Sequence, residues 1–267
     1  EIIRNRVETE SVLGIQRKAD DKWDYMVDPD NKIAYIRLTQ FQRNSFIRMQ
    51  KEMEKLTKAG IKGFVLDLRF NPGGLLDVAC DISDLFIDDG VIVTVRPRIG
   101  KEEPWMGHHE GSLLDFPMVC MVNGMSASGS EIVAACLQDH HRAVILGERS
   151  YGKGSVQKIE QFDGGQLKFT NATYWRPSGK NINKSSTKGT ADEEWGVMPD
   201  DGFKIEMTRK ERDDLAEHQR ALEIIARKDK QTKDPKNDFK DRQLEKAVEY
   251  LRDQIKTASR IPVKKNG

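Results

Sequence analysis

No stretch of 18 apolar residues occurs in this sequence, so no segment reads as a membrane-spanning helix. Excess charge is missing too: 44 Lys and Arg oppose 43 Asp and Glu, a formal net charge of +1. Nucleic-acid binders meet phosphates with a basic face, so this balance argues against that class. Cysteine is scarce, and Cys80, Cys120 and Cys136 sit singly in apolar segments without CxxC spacing. They read as small buried hydrophobes rather than metal ligands or a disulfide framework, and no metal or cofactor is expected. Residue 1 is Glu and no signal-peptide pattern follows, which reads as a processed chain or a piece of a longer one. What is present is enough apolar material, 37% of 267 residues, for one large domain or two small ones.

The first thirty residues are mixed and charged, and end in the turn signal Asp28-Pro29-Asp30-Asn31. Lys32 to Leu38 then predicts a strand. From Arg43 to Lys58, Phe46, Met49, Met53 and Leu56 recur at helical spacing, with Gly60 as the stop. Phe64 to Leu68 predicts a strand, Val78 to Phe86 a helix, and Val91 to Val95 a strand. Residues 97–116 read as a long charged loop with an exposed Trp105. Pro117 to Val122 predicts a strand, Ser128 to Gln138 a helix and Ala143 to Leu146 a strand. Strands alternating with helices imply crossovers and a mostly parallel sheet. After Gly152 the pattern turns to β: Ser155-Val156-Gln157, a turn at Asp163-Gly164-Gly165, then Leu167 to Trp175. Thr208 to Glu211 resembles a capping box opening a charged helix. Residues 228–242 read as a solvated Lys/Asp-rich linker. Leu244, Val248, Leu251 and Ile255 mark an amphipathic helix. No internal repeat is visible.

Four segments carry the chemistry. Met121 to Ser130 joins a buried strand to a helix, with Ser126, Ser128 and Ser130 at alternate positions. Taken alone, the three serines fit helix caps. The functional reading exposes one hydroxyl where free N–H groups and the helix dipole favour negative charge. Glu148 to Gln157 holds Lys153 between Gly152 and Gly154. An extended backbone from there would put Lys153, Ser155 and Gln157 on one face, with Gln157 able to hold the lysine amine. To act as a base Lys153 must be neutral near pH 7, which from an ordinary value of about 10.4 asks for about 4 kcal/mol against the ammonium. Desolvation away from carboxylates is the physical source of such an effect. The third segment, Asp67 to Gly74, ends in a Pro-Gly-Gly turn at the carboxyl edge of a parallel strand, where open α/β folds bind ligands. A backbone N–H there and that of Gly129 could form an oxyanion hole. The fourth, Asn171 to Lys180 leading to Trp195–Asp200, reads as a strand, a turn and an irregular return.

Taken in order, Asp67-Leu-Arg69 with Asn71-Pro-Gly-Gly74, Ser126-Ala-Ser-Gly-Ser-Glu131, Gly152-Lys-Gly-Ser-Val-Gln157, Pro177-Ser-Gly179 and Gly196-Val-Met-Pro-Asp200 resemble the carboxyl-terminal processing peptidases, also called tail-specific proteases. The likeness runs from about residue 32 to 205, and five motifs in sequence make it specific. It implies a crotonase- or Clp-protease-like α/β spiral of ββα units, with a β-rich cap region and a helical C-terminal extension. By the same resemblance Ser128 is the nucleophile, Lys153 the base and Gln157 the residue orienting the lysine. Oxyanion donors would be Gly73 and Gly129, the latter standing where the family often has Ala. Family members often carry a PDZ domain before the core, and Glu1-Ile-Ile-Arg4 would be its last strand. The division expected is an N-terminal segment 1–30, a peptidase core 31–205 and a charged helical extension 206–267.

The resemblance implies a serine endopeptidase of the Ser–Lys type, acting on protein substrates near their C termini in the periplasm, cell envelope or an equivalent lumen. Oligomeric state and the choice between Gly73 and Gly74 stay open. A histidine base is disfavoured, because His108, His109, His140 and His141 read as surface residues. Two other classes compete with this reading. A non-catalytic binding protein on this fold is opposed by the intact Ser128, Lys153 and Gln157. An acyl-CoA enzyme of crotonase type is suggested by the Pro-Gly-Gly turn alone.

Overall fold

The structure, a computed structural model, describes residues 9–188, 190, 192–224 and 239–260, with residues 259 and 260 by backbone alone. Glu1–Arg4 and most of the stretch read as a linker lie outside the described residues. In chain order the elements are β1 (Val12–Leu13), β2 (Gln16–Arg17), β3 (Trp23–Asp24), β4 (Met26–Asp28), β5 (Ile33–Leu38), α1 (Ser45–Lys58), β6 (Gly63–Asp67), α2 (Leu76–Asp84), β7 (Gly90–Pro97), β8 (Glu103–Gly107), β9 (Met118–Val122), α3 (Gly129–Asp139), β10 (Val144–Gly147), β11 (Ser155–Phe162), β12 (Gly165–Trp175), α4 (Arg209–Glu223) and α5 (Arg242–Arg260).

Strands β5, β6, β9 and β10 form a parallel core in that order, with β1 and β4 added antiparallel to β5. Its strands are apolar on both faces because both faces are covered. Ala34, Ile36, Leu38, Phe64, Leu66, Cys120 and Val122 pack with residues of α1, α2 and α3. The alternate residues Ile33, Tyr35, Val65, Val119, Met121 and Leu146 pack against Ala247, Val248 and Leu251 of α5. The period-2 alternation of a strand thus feeds two separate apolar clusters. A second, antiparallel sheet runs β11-β12-β7-β8 and carries the β-rich region.

Two expectations need correction. The reading of 97–116 as a loop misses β8, which pairs antiparallel with β7 from Glu103↔Val95 to Gly107↔Gly90. Glu103, Pro104 and Met106 are exposed on this edge strand while Trp105 is half-buried, so no apolar run announces it. The first thirty residues also hold four strands of two or three residues, too short for a periodic signal. The capping box is present at α4, where Glu211 N donates to Thr208 Oγ1 at 3.2 Å and Thr208 N to Glu211 Oε2 at 2.7 Å. All three cysteines are buried, and burial pushes the Cys80 thiol up to about 12. Among the described residues no helix is long and apolar enough to cross a membrane.

Candidate active site

Three loops meet at the carboxyl edge of the parallel sheet, after β6, β9 and β10. The first turns tightly. Asp67 Oδ1 accepts Arg69 N at 2.9 Å, Asn71 N reaches Leu68 O at 3.2 Å, and Phe70 takes φ +62° between them. Asn71 then stitches the turn to its surroundings, donating Nδ2 to Leu38 O at 2.7 Å and accepting Gly73 N at 2.8 Å. Gly73 has φ +101°, and a Cβ there would stand 2.8 Å from Ser128 Cβ and 2.9 Å from Gly129 N. Only glycine lets the turn lie so close to the second loop.

Of the three serines in that second loop, two are structural. Ser126 Oγ donates to Leu68 O at 2.8 Å and Ser130 Oγ to Asn71 O at 2.9 Å, both buried, tying the first loop to the second. Among the described residues the Ser128 hydroxyl donates to no acceptor. Ser128 is half-buried and its backbone has φ 55° and ψ −112°, a conformation that costs about 1–3 kcal/mol for a residue with a side chain. It immediately precedes α3, so the helix N-terminus faces whatever charge develops on it. Gly129 N donates to nothing among the described residues. A Cβ at Gly129 would stand 3.0 Å from the ring of buried Phe41, so an alanine there would press on that ring.

The third loop is joined to the second by Glu131. Its buried carboxylate accepts Ser150 Oγ and Gly152 N on Oε1, both at 2.5 Å, and Ser128 N at 2.9 Å and Lys153 N at 2.8 Å on Oε2. The backbones of Ser128 and Lys153 therefore converge on a single oxygen atom. Burial pushes the Glu131 carboxyl up, and its four donors pull it down without cancelling that effect. Ser150 Oγ in turn accepts Val197 N at 2.7 Å, which brings the return segment 196–200 into the same cluster. Sequence reasoning placed Glu131 only as a motif residue. Its spacing from Ser128, a Ser-x-x-Glu at a helix start, is the signal that could have found it.

The Lys153 side chain is exposed and its Nζ has no hydrogen bond or ion pair among the described residues. Gln157 sits at a register shift between Val156 and Gln157 in the β11–β12 ladder. Its amide nitrogen donates to Thr170 Oγ1 at 2.8 Å and Ser155 Oγ at 3.4 Å, leaving its carbonyl oxygen without a donor among the described residues. Gln157 and Lys153 are thus brought to one strand start but not into contact. The histidines stand apart from this cluster: His108 and His109 pair with Asp84 and Asp88, and His140 Nε2 donates to Val91 O at 2.8 Å. A cavity of about 650 Å³ runs from the end of α3 to the 195–200 return, lined by Asp139, Arg149, Arg176, Gly196 and Asp200 among others but not by Ser128, Lys153 or Gln157. Among the described residues no group of three or more His, Cys, Asp or Glu side chains is arranged to hold a metal ion.

Residues 32–200 match Peptidase family S41 along the span that carries all three loops. The chain belongs to peptidase family S41. Among its S41 relatives, a carboxy-terminal-processing protease of Bartonella bacilliformis is 44% identical over 164 residues, covering 59% of this chain and 37% of its own. A carboxyl-terminal-processing protease of Synechocystis is 37% identical over 174 residues, covering 65% and 38%. The chain thus spans under two fifths of the length of these curated relatives. Among solved structures, the photosystem II D1 C-terminal processing protease superposes with a TM-score of 0.61 at 28% identity, over 83% of this chain and 54% of that one. The α/β fold of a carboxyl-terminal processing peptidase, expected from the motifs, is the fold observed.

Proposed function

We propose that this chain is the catalytic core of a serine endopeptidase cleaving protein substrates near their C termini, with Ser128 as nucleophile and Lys153 as base. The observation that carries this reading is the sorting of the three serines. Ser126 and Ser130 are committed to turn carbonyls, while Ser128 stands on strained backbone at a helix N-terminus with its hydroxyl proton undonated. Neutral Lys153 takes that proton as Ser128 Oγ attacks a peptide carbonyl, then returns it to the leaving amine. Water deacylates the ester by the same route. The oxyanion is held by Gly129 N and by the Pro-Gly-Gly turn. In the present arrangement Gly73 N is bonded to Asn71 Oδ1, so its part in the hole requires that bond to be shared. Gln157 orients the amine through the carbonyl oxygen that has no donor. A polypeptide lying across exposed Lys153 supplies the desolvation its base role demands.

From the resemblance of the motifs, the proposal extends to a PDZ domain in the full-length protein, to self-association, and to a periplasmic or cell-envelope location. The test is cleavage of an unstructured protein by the parent chain and by Ser128→Ala. Loss of cleavage in the variant supports the nucleophile assignment. Equal rates would refute it.

A further inference from the structure

Arg69 is one of the largest fully buried side chains in the protein, and it lies two residues before the turn that abuts Ser128. Its guanidinium has five N–H groups in a fixed plane, and a buried one must satisfy all of them. Asp67, on the same strand end, takes one edge: Nε donates to Oδ1 at 3.0 Å and Nη2 to Oδ2 at 2.7 Å. The opposite edge is taken from far along the chain. Nη1 and Nη2 donate to Asp241 Oδ1 and Oδ2 at 2.9 and 2.7 Å, and Nη1 also to Gln243 Oε1 at 3.0 Å. The guanidinium is thereby saturated by three side chains, two of them from the extension to which no chemistry was assigned.

Each of these partners is itself held. Asp241 Oδ1 accepts Leu244 N at 3.1 Å, so this carboxylate caps α5 while it grips Arg69. Gln243 Nε2 donates to Ile205 O at 2.7 Å. On the other side Tyr35 OH donates to Asp67 Oδ2 at 2.7 Å. From Arg69 the chain passes at once into left-handed Phe70, whose N–H goes to Asn123 Oδ1 at 3.0 Å, and then into Asn71, whose carbonyl accepts Ala127 N and Ser130 Oγ. Resting on the reading of Ser128 as nucleophile, we infer that Asp241, seconded by Gln243, is a positioning residue of the peptidase site: it fixes Arg69, and through Arg69 the turn that holds Gly73 against Ser128.

Without Asp241 and Gln243, both Nη1 hydrogens and one on Nη2 have no acceptor in a dry site. The side chain then either leaves or draws its backbone with it, and Phe70–Gly73 follows. Substrate contacts made elsewhere are untouched, so the loss falls on kcat.

The test uses the whole chain, an unstructured protein substrate, five single variants and one double variant. Asp241→Asn keeps an N-cap oxygen for α5 but puts an amide against the guanidinium, and is expected to lower kcat at least about tenfold with KM within about twofold. Arg252→Ala is the control, because Arg252 Nε anchors α5 to Asp28 Oδ2 at 2.6 Å without touching Arg69. It should lower stability while leaving kcat as in the parent. In an Arg69→Lys background, Asp241→Asn should add nothing further. Should Asp241→Asn fail to fold, Gln243→Ala, which removes one acceptor only, is expected to reduce kcat severalfold. A parental kcat in Asp241→Asn, or in Gln243→Ala when that variant stands in for it, overturns the inference; so does an equal loss in Arg252→Ala, or full additivity with Arg69→Lys. Ser128→Ala separates the two levels: an inactive Ser128→Ala beside a normal Asp241→Asn sinks only the positioning role, whereas an active Ser128→Ala sinks the nucleophile.

Discussion

Replacing Glu131 by Gln changes one atom at the joint between the Ser128 loop and the Lys153 loop. Each carboxylate oxygen accepts two donors, Ser150 Oγ and Gly152 N on one, Ser128 N and Lys153 N on the other. Whichever oxygen becomes the amide nitrogen, two donors face a donor in a fully buried place. An unsatisfied buried donor costs about 1–3 kcal/mol, so two cost roughly 2–6 kcal/mol, and about 3 kcal/mol is a conservative expectation. Set against the roughly 5–15 kcal/mol that holds a typical domain, this is a severe loss. With a urea dependence of about 3 kcal/mol per molar, the unfolding midpoint read by tryptophan fluorescence should fall by about 1 M. Activity should fall more than folding does. Parting Ser128 from Lys153 by about 1 Å is enough for a drop on the order of 100-fold in kcat/KM, measured where the variant is still folded. A midpoint within about 0.2 M of the parent, together with kcat/KM within about threefold, would show that the four bonds do not couple the loops.

Other outcomes follow from the same geometry. Gly73→Ala places a methyl 2.7 Å from Ala127 O and 2.8 Å from Ser128 Cβ on backbone at φ +101°, so a thermal melt should show about 1–3 kcal/mol of destabilisation and a cleavage assay little activity. Lys153→Met should abolish cleavage while leaving the unfolding free energy from urea titration within about 0.5 kcal/mol of the parent, because the side chain is exposed and unpaired among the described residues. Thr208→Ala removes the α4 cap and should lower stability by about 1 kcal/mol without affecting turnover. Acid titration supplies a signed test. Burial alone would raise the Asp241 carboxyl, but Arg69 and the backbone N–H groups of Leu244 and Gln243 outweigh it and hold it below the ordinary value; Asp28 and Asp139 are likewise held down by Arg252 and Arg176 against burial. Their stabilisation is complete above the ordinary Asp value of about 3.9 and is lost as pH falls through their lower folded values, and Asp241→Asn should flatten that acid limb.

The parts of this architecture legible in the sequence are those whose signal is local. Strands β5, β6, β9 and β10 are apolar on both faces and flanked by helices, so their runs stand out. The β8 strand does not, because an edge strand with Glu103, Pro104 and Met106 in solvent has no pattern to give it away. At the site, the residue types and their order were readable, since the motifs carry them. The sorting of Ser126, Ser128 and Ser130 was not, because it depends on which hydroxyl finds a carbonyl of the 68–71 turn. Nor was the positive φ of Ser128, which sits between the Gly73 turn and the Glu131 carboxylate in the first turn of α3. Arg69 and Asp241 are separated by 172 positions in a chain where a third of the residues are charged, and nothing local marks them as partners.

The placement of α5 also sets an order of events. The sheet face formed by Ile33, Tyr35, Val65, Val119, Met121 and Leu146 is closed by Ala247, Val248 and Leu251, which leave the ribosome after every other described element. Until then this apolar face stays wet and Arg69 has only one of its carboxylates. The loops bearing Ser128 and Lys153 are made early, but the turn beside them is secured late. Of the described elements it is the last, α5, that completes the surroundings of Arg69 and with them the support of the Gly73 turn.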